Sequence, residues 1–197
     1  MSTLGLILEC GPDGPDEKVF RHWITTHYPT VTKLLTETLS NKRRLLDDCG
    51  EAARNLLADG CDHVVIVWDL YPSWEEDTPC LKADREKAFA SLDSKQVPRA
   101  RVSLVAIESM LECWFLADER AIGRYANCTK QPGKIQRPEK HRRPKDDISN
   151  LFQQCGKSRY LDFKDALPLA KEITDLTKLQ GRCPTFARFW EKVTQNP

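Results

Sequence analysis

Residues 3–9 read TLGLILE, and two later stretches echo that pattern: residues 63–69 read HVVIVWD and residues 101–108 read RVSLVAIE. Each is a short apolar run that closes on a carboxylate, at Glu9, Asp69 and Glu108. Continuous apolar runs of this length suit strands buried on both faces, the habit of parallel sheets. Helical patterns separate them. Val19, Phe20, Trp23 and Ile24 recur at helical spacing before Pro29, with Asp16 a plausible N-cap. Leu45, Leu46, Ala53, Leu56 and Leu57 share one face of a helix over 41–58 that stops at Gly60. A charged amphipathic helix is expected over 81–92. Residues 30–39 are ambiguous between short strand and loop. The alternation of strand and helix predicts an α/β fold, a mostly parallel Rossmann-like sheet flanked by helices.

Beyond the third strand, helices are expected over 109–117, 119–125, 147–154, 163–179 and 184–193, the last with Pro184 at its first position. Residues 127–146 differ in character. They hold three prolines and seven basic residues (Lys130, Lys134, Arg137, Lys140, Arg142, Arg143 and Lys145) against Glu139, Asp146 being the only other acid, at the segment's end. The expected organisation is an α/β core over 1–126, a basic loop over 127–146, and a helical C-terminal extension over 147–197 packing on the core.

The chain has 197 residues, 40% of them hydrophobic and 30% charged, which is enough apolar material for a core and argues against a disordered chain. No run approaches the ~20 apolar residues of a membrane span. The first ten residues lack the basic start of a secretory signal. A soluble cytoplasmic protein is therefore expected. Eight scattered cysteines include no C-x-x-C pair, so they are expected to be reduced and mostly buried. His22, His27, His63 and His141 show no paired metal spacing, and His63, opening a strand, is expected to be structural. The net charge of +1 neither supports nor excludes a nucleic-acid partner.

Parallel strands would carry Glu9, Asp69 and Glu108 to one sheet edge, where ligands of open α/β sheets collect. Three converging carboxylates repel one another, and a hard divalent cation, Mg²⁺ or Mn²⁺, removes that conflict. Asp16 can join them from the first turn, though capping alone would explain it. Glu112 follows Glu108 by four residues, on the same helical face, either as a further ligand or as a solvated residue.

The segments LILECGPDGPDEKVF (6–20), VVIVWDLYP (64–72) and VAIESMLECWFLAD (105–118) resemble the Toprim-like fold. The closer likeness is to bacterial Toprim-related proteins encoded beside an ABC- or AAA-type ATPase, relatives of the nuclease domains of OLD-type proteins. FKDALPLAKEI (163–173) and CPTFARFWEKV (183–193) share that likeness. The resemblance implies a metal-dependent nuclease or nuclease subunit working in a complex with an ATPase partner, in bacterial defence or nucleic-acid maintenance, on DNA or RNA. It implies Glu9 as metal ligand or general base, Asp16 (or Glu17) and Glu108 as further ligands, and Lys164 as a lysine near phosphate, where a plain surface lysine is the alternative. Toprim enzymes carry an Asp-x-Asp pair where this chain has Asp69-Leu70-Tyr71. A neutral phenol is a poor Mg²⁺ ligand, so Glu75, Glu76 or Asp77 would have to fold back in its place. That departure supports the rival reading, a non-catalytic subunit regulating an ATPase. Primase-like phosphoryl chemistry is a third possibility of the same fold. Lys140, Arg142, Arg143 and Lys145 are the candidates for phosphate-backbone contact, with a solvated or partner-bound loop as the alternative. The basic loop lacks aromatics for base stacking. Trp74 is the best candidate for an exposed anchor.

Overall fold

A computed structural model describes residues 2–71 and 79–195. Trp74, Glu75, Glu76 and Asp77 lie outside the described residues. Four strands, β1 (Ser2–Leu8), β2 (Val31–Thr38), β3 (His63–Asp69) and β4 (Val102–Ile107), form an all-parallel sheet in the order β2-β1-β3-β4. The ambiguous stretch over 30–39 is thus an edge strand. It alternates less cleanly because only its inner side is covered: Val31 is buried while Thr32 and Lys33 are exposed.

Helix α1 (Pro15–His27) connects β1 to β2 on one face of the sheet, and α2 (Lys42–Ala58) and α3 (Leu81–Ser94) make the next two crossovers on the other. The strand periodicity of two divides the core accordingly. Leu4, Leu6, Leu8, Val65, Val67, Val105 and Ile107 face α1, whereas Ile7, Val64, Ile66, Trp68 and Ala106 face α2 and α3. Helices α2 and α3 approach closely at Gly50. A Cβ there would sit 2.1 Å from the Ser91 carbonyl oxygen, so only glycine fits, and its N–H donates to Ser91 Oγ at 3.0 Å.

The α1 face carries the rest of the chain: α4 (Glu112–Phe115), α5 (Glu119–Tyr125), α6 (Pro144–Gln154), α7 (Asp162–Glu172), α8 (Thr177–Arg182) and α9 (Pro184–Thr194). The expected helix over 109–117 shrinks to a single turn. The one over 163–179 divides into α7 and α8 across residues 173–176. Trp23, Trp114, Phe115 and Phe186 meet edge-to-face with ring centroids 5.0–5.9 Å apart, and this aromatic cluster welds the C-terminal helices to α1. Both indole N–H groups are satisfied: Trp23 donates to the Ala170 carbonyl at 3.2 Å, and Trp114 to Glu139 Oε1 at 3.1 Å and Thr185 Oγ1 at 3.0 Å.

Glu139 shows that residues 127–146 are not a free loop. Its buried carboxylate also accepts the Thr185 N–H at 2.9 Å, anchoring the segment at the start of α9. Arg182 donates to the Ile135 carbonyl, and His141 contacts Asp147 at 2.8 Å and the Gln136 carbonyl at 3.1 Å. From Pro144 onward the segment is already helix α6. The cysteine expectation is likewise corrected: Cys128 and Cys155, at the ends of the packed helices α5 and α6, form a disulfide. Cys49, Cys61, Cys113 and Cys183 are buried thiols. His63 is structural as expected, buried with Nε2 2.9 Å from Ser103 Oγ.

Candidate functional site

The sheet order places a topological switch between β1 and β3, because the chain leaves β1 toward β2 on one face and leaves β3 toward β4 on the other. Loops diverge above such a point and leave a crevice at the carboxyl ends of the strands. Leu8 pairs with Val67 and Asp69 pairs with Ile107, so Glu9, Asp69 and Glu108 all lie at this edge. The turn between β1 and α1 is tight. The Gly14 N–H donates to the Gly11 carbonyl at 3.0 Å, and a Cβ on Gly14 would come within 2.8 Å of that oxygen. Gly14 is the residue that caps α1, with Pro15 as its first helical residue. Asp16 is therefore released from capping and faces the crevice.

Four carboxylates gather there: Glu9, Asp16, Asp69 and Glu112. Burial, followed by the neighbouring charges of Glu112 and Glu9, pushes the Asp16 carboxyl up to about 7. Glu9 is also raised to about 7, chiefly by burial, against the lowering effects of the Asp69 backbone N–H and the Lys42 ammonium. Burial and then the charges of Glu9, Asp16 and Glu112 hold Asp69 well above the ordinary carboxylate range. Burial raises Glu112 as well, and Tyr160, itself buried, donates to its Oε1 at 3.1 Å. Glu9, Asp16 and Asp69 keep part of their surface open to solvent, as side chains lining a cleft do, whereas Glu112 is 2% exposed. Glu9 Oε2 is buried without a hydrogen-bond partner.

Glu108 and Glu112, both candidate ligands, are placed differently. Glu108 is half-exposed at the rim and is paired with Lys140, while Glu112 is drawn under the aromatic cluster and into the acidic group. The two lysines expected near phosphate also differ. Lys164 is exposed on α7. Lys145, from the first turn of α6, reaches into the cluster, with Nζ 2.7 Å from Asp162 Oδ2 and 3.6 Å from Glu112 Oε1. Those anions raise its pKa above the usual lysine value despite burial. Its side chain keeps 45% of its surface exposed while it meets both acids. Arg142 lies over the Tyr71 ring, its Cζ 5.8 Å from the centroid, and Arg143 is exposed at the start of α6.

Sequence reasoning missed Tyr160 and Asp162, which no motif marks and which reach the site only because the C-terminal helices fold back on α1. It also missed a buried pair beneath Glu9. Lys42 Nζ sits 2.8 Å from Asp84 Oδ2 and donates to the Leu70 carbonyl at 3.1 Å, and the Trp68 indole N–H donates to Asp84 at 3.2 Å. The only available signal was a lysine and an aspartate at positions where their helices are otherwise covered.

A hard cation fits the chemistry of this donor set: all oxygen, clustered anionic charge beyond what Lys145 balances, and an orphaned carboxylate oxygen on Glu9. Among the described residues no three His, Cys, Asp or Glu side chains are already placed to hold a metal ion together.

A parallel α/β protein with a carboxylate cluster at its topological switch point is the class that fold and site define. The chain belongs to the family described as domain of unknown function DUF4276, whose model matches residues 17–194; these take in β2, β3, β4 and the C-terminal helices, while β1, Glu9 and Asp16 precede them. No curated protein and no solved structure matches it. Among the described residues no helix is long and apolar enough to cross a membrane.

Proposed function

We propose that this chain is a Mg²⁺- or Mn²⁺-dependent phosphodiesterase of nuclease type, working on DNA or RNA, in the manner of a Toprim-like nuclease subunit. The observation that carries the reading is the unpartnered, buried Glu9 Oε2 within a group of four mutually repelling carboxylates. Such an arrangement is costly unless a cation completes it. Glu9, Asp16, Asp69 and Glu112 would hold the ion, with Glu108 near the rim. A bound divalent cation supplies charge neutralisation at a phosphate and a water of lowered pKa.

The chain's own residues supply the rest. Lys145 meets the acids while its side chain stays half-exposed, so its ammonium can meet a non-bridging phosphate oxygen. Asp162 and Glu112 fix that ammonium in place. An ABC- or AAA-type ATPase partner in bacterial defence or nucleic-acid maintenance rests on the family resemblance alone. A second reading, a non-catalytic subunit regulating such an ATPase, is favoured by Tyr71 in place of a second aspartate and by Lys145 acting as a built-in counter-ion.

Calorimetric titration of Mn²⁺ into the protein, beside Glu9→Gln and Asp69→Asn, separates the two. Binding lost in both variants, together with Mn²⁺-dependent cleavage of oligonucleotides, supports the nuclease. Absence of binding by the wild type overturns it in favour of the regulatory subunit.

A further inference from the structure

Phe163 is 76% exposed, and among the described residues it is the only large hydrophobic side chain left so open. It occupies the first turn of α7 beside Asp162. Its N–H donates to Asp162 Oδ1 at 2.8 Å, and the other oxygen of the same carboxylate holds Lys145 at 2.7 Å. A second aromatic marks the β3 side of the crevice. Tyr71 follows Asp69 by two residues, its N–H donates to the Ser109 carbonyl at 3.3 Å, and Arg142 lies over its ring. Tyr71 and Phe163 thus follow site carboxylates in two separate parts of the chain, and Arg142, which lies over the Tyr71 ring, Arg143 and Lys164, which follows Phe163, are exposed.

We propose that Phe163 and the Tyr71–Arg142 pair are stacking platforms for unpaired nucleobases, so that the substrate class is single-stranded or looped nucleic acid. The proposal rests on the nuclease reading of the adjoining carboxylates and narrows it. A duplex hides the faces of its bases and offers a ring nothing to stack on. An unpaired base offers its π-face whatever its identity, while cations track the backbone. The basic segment over 127–146 has no aromatics of its own; the rings come from the residues after β3 and from the first turn of α7. A protein partner fits less well. Interface cores need contiguous apolar area, and Phe163 stands between Asp162 and Lys164.

The test measures fluorescence anisotropy of a labelled single-stranded oligonucleotide, the same strand carrying abasic sites, and a blunt duplex, with wild type, F163A, F163W and Y71A. Mn²⁺-dependent cleavage is followed in parallel. F163A and Y71A are expected to weaken single-strand binding by about tenfold each. F163W should stay within about twofold of wild type, because it keeps a stacking face. Abasic and duplex binding should be insensitive to all three changes. Equal losses on all three probes, or single-strand binding by F163A equal to wild type, would overturn the platform. Stacking without cleavage by the wild type removes the nuclease reading and leaves the platform standing; cleavage with F163A unaffected does the reverse.

Discussion

Replacing Asp16 with asparagine should make the metal-free protein more stable at pH 8 while destroying its affinity for Mn²⁺. The Asp16 carboxyl is raised from 3.8 to about 7 by burial and by the charges of Glu112 and Glu9. A rise of that size corresponds to about 4 kcal/mol against the ionised form. Partial solvent contact and relaxation around Lys145 reduce what a single neutralisation recovers to about 2 kcal/mol. For a chain of this length that is a gain of about 4–8 °C in melting temperature. The sign depends on pH. Between the ordinary value and about 7 the folded state binds more protons than the unfolded state, so the wild type loses stability as pH rises through that window. Below about pH 4 both states are protonated and the advantage of Asp16→Asn vanishes. Thermal denaturation of both proteins at pH 4, 6 and 8, each with and without Mn²⁺, checks this. Wild type should be raised by Mn²⁺ at pH 8, and the variant should not. A variant destabilised equally at all three pH values would refute the electrostatic account and make Asp16 a structural residue.

Glu112→Gln should abolish Mn²⁺ binding, whereas Glu108→Gln, which loses only a rim ion pair with Lys140, should keep it and change stability by less than about 1 kcal/mol; calorimetry and denaturant titration distinguish them. Lys42→Ala strands the buried Asp84 carboxylate and should cost about 3–5 kcal/mol in urea unfolding, with a Lys42→Met, Asp84→Leu pair recovering most of it. Reduction of Cys128–Cys155, or Cys128→Ser, opens a loop of 27 residues and should cost about 3.5 kcal/mol, lowering the melting temperature of the oxidised protein; an unchanged midpoint after thiol titration confirms reduction would refute a stabilising bridge.

Much of the parallel sheet was written locally. The central strands over 2–8 and 63–69 are buried along nearly their whole length, so their near-continuous apolar runs are recognisable from neighbours along the chain. The edge strand over 31–38 is half-covered and was ambiguous for that reason. Helix α7 and helix α8 merged in the periodicity because Leu176 and Leu179 continue the apolar pattern across the break. Other residues were open for another cause. Glu112 stood between ligand and solvated residue, since spacing along a helix does not say which turn will be covered. Lys145 looked like one of several loop cations, since charge content does not say which cation meets an acid.

By itself the sequence determined the strand and helix alternation, and with it the carboxyl-end edge where Glu9 and Asp69 stand, because backbone periodicity and burial of both sheet faces are local properties. Only the tertiary structure decided that Asp16 turns from capping to the crevice, that Glu112 rather than Glu108 joins it, and that Lys145, Tyr160 and Asp162 arrive from the C-terminal helices. Those choices depend on how α4, α6 and α7 pack against α1. Such packing is set by the shapes of Trp23, Trp114, Phe115 and Phe186 meeting across nearly the whole length of the chain.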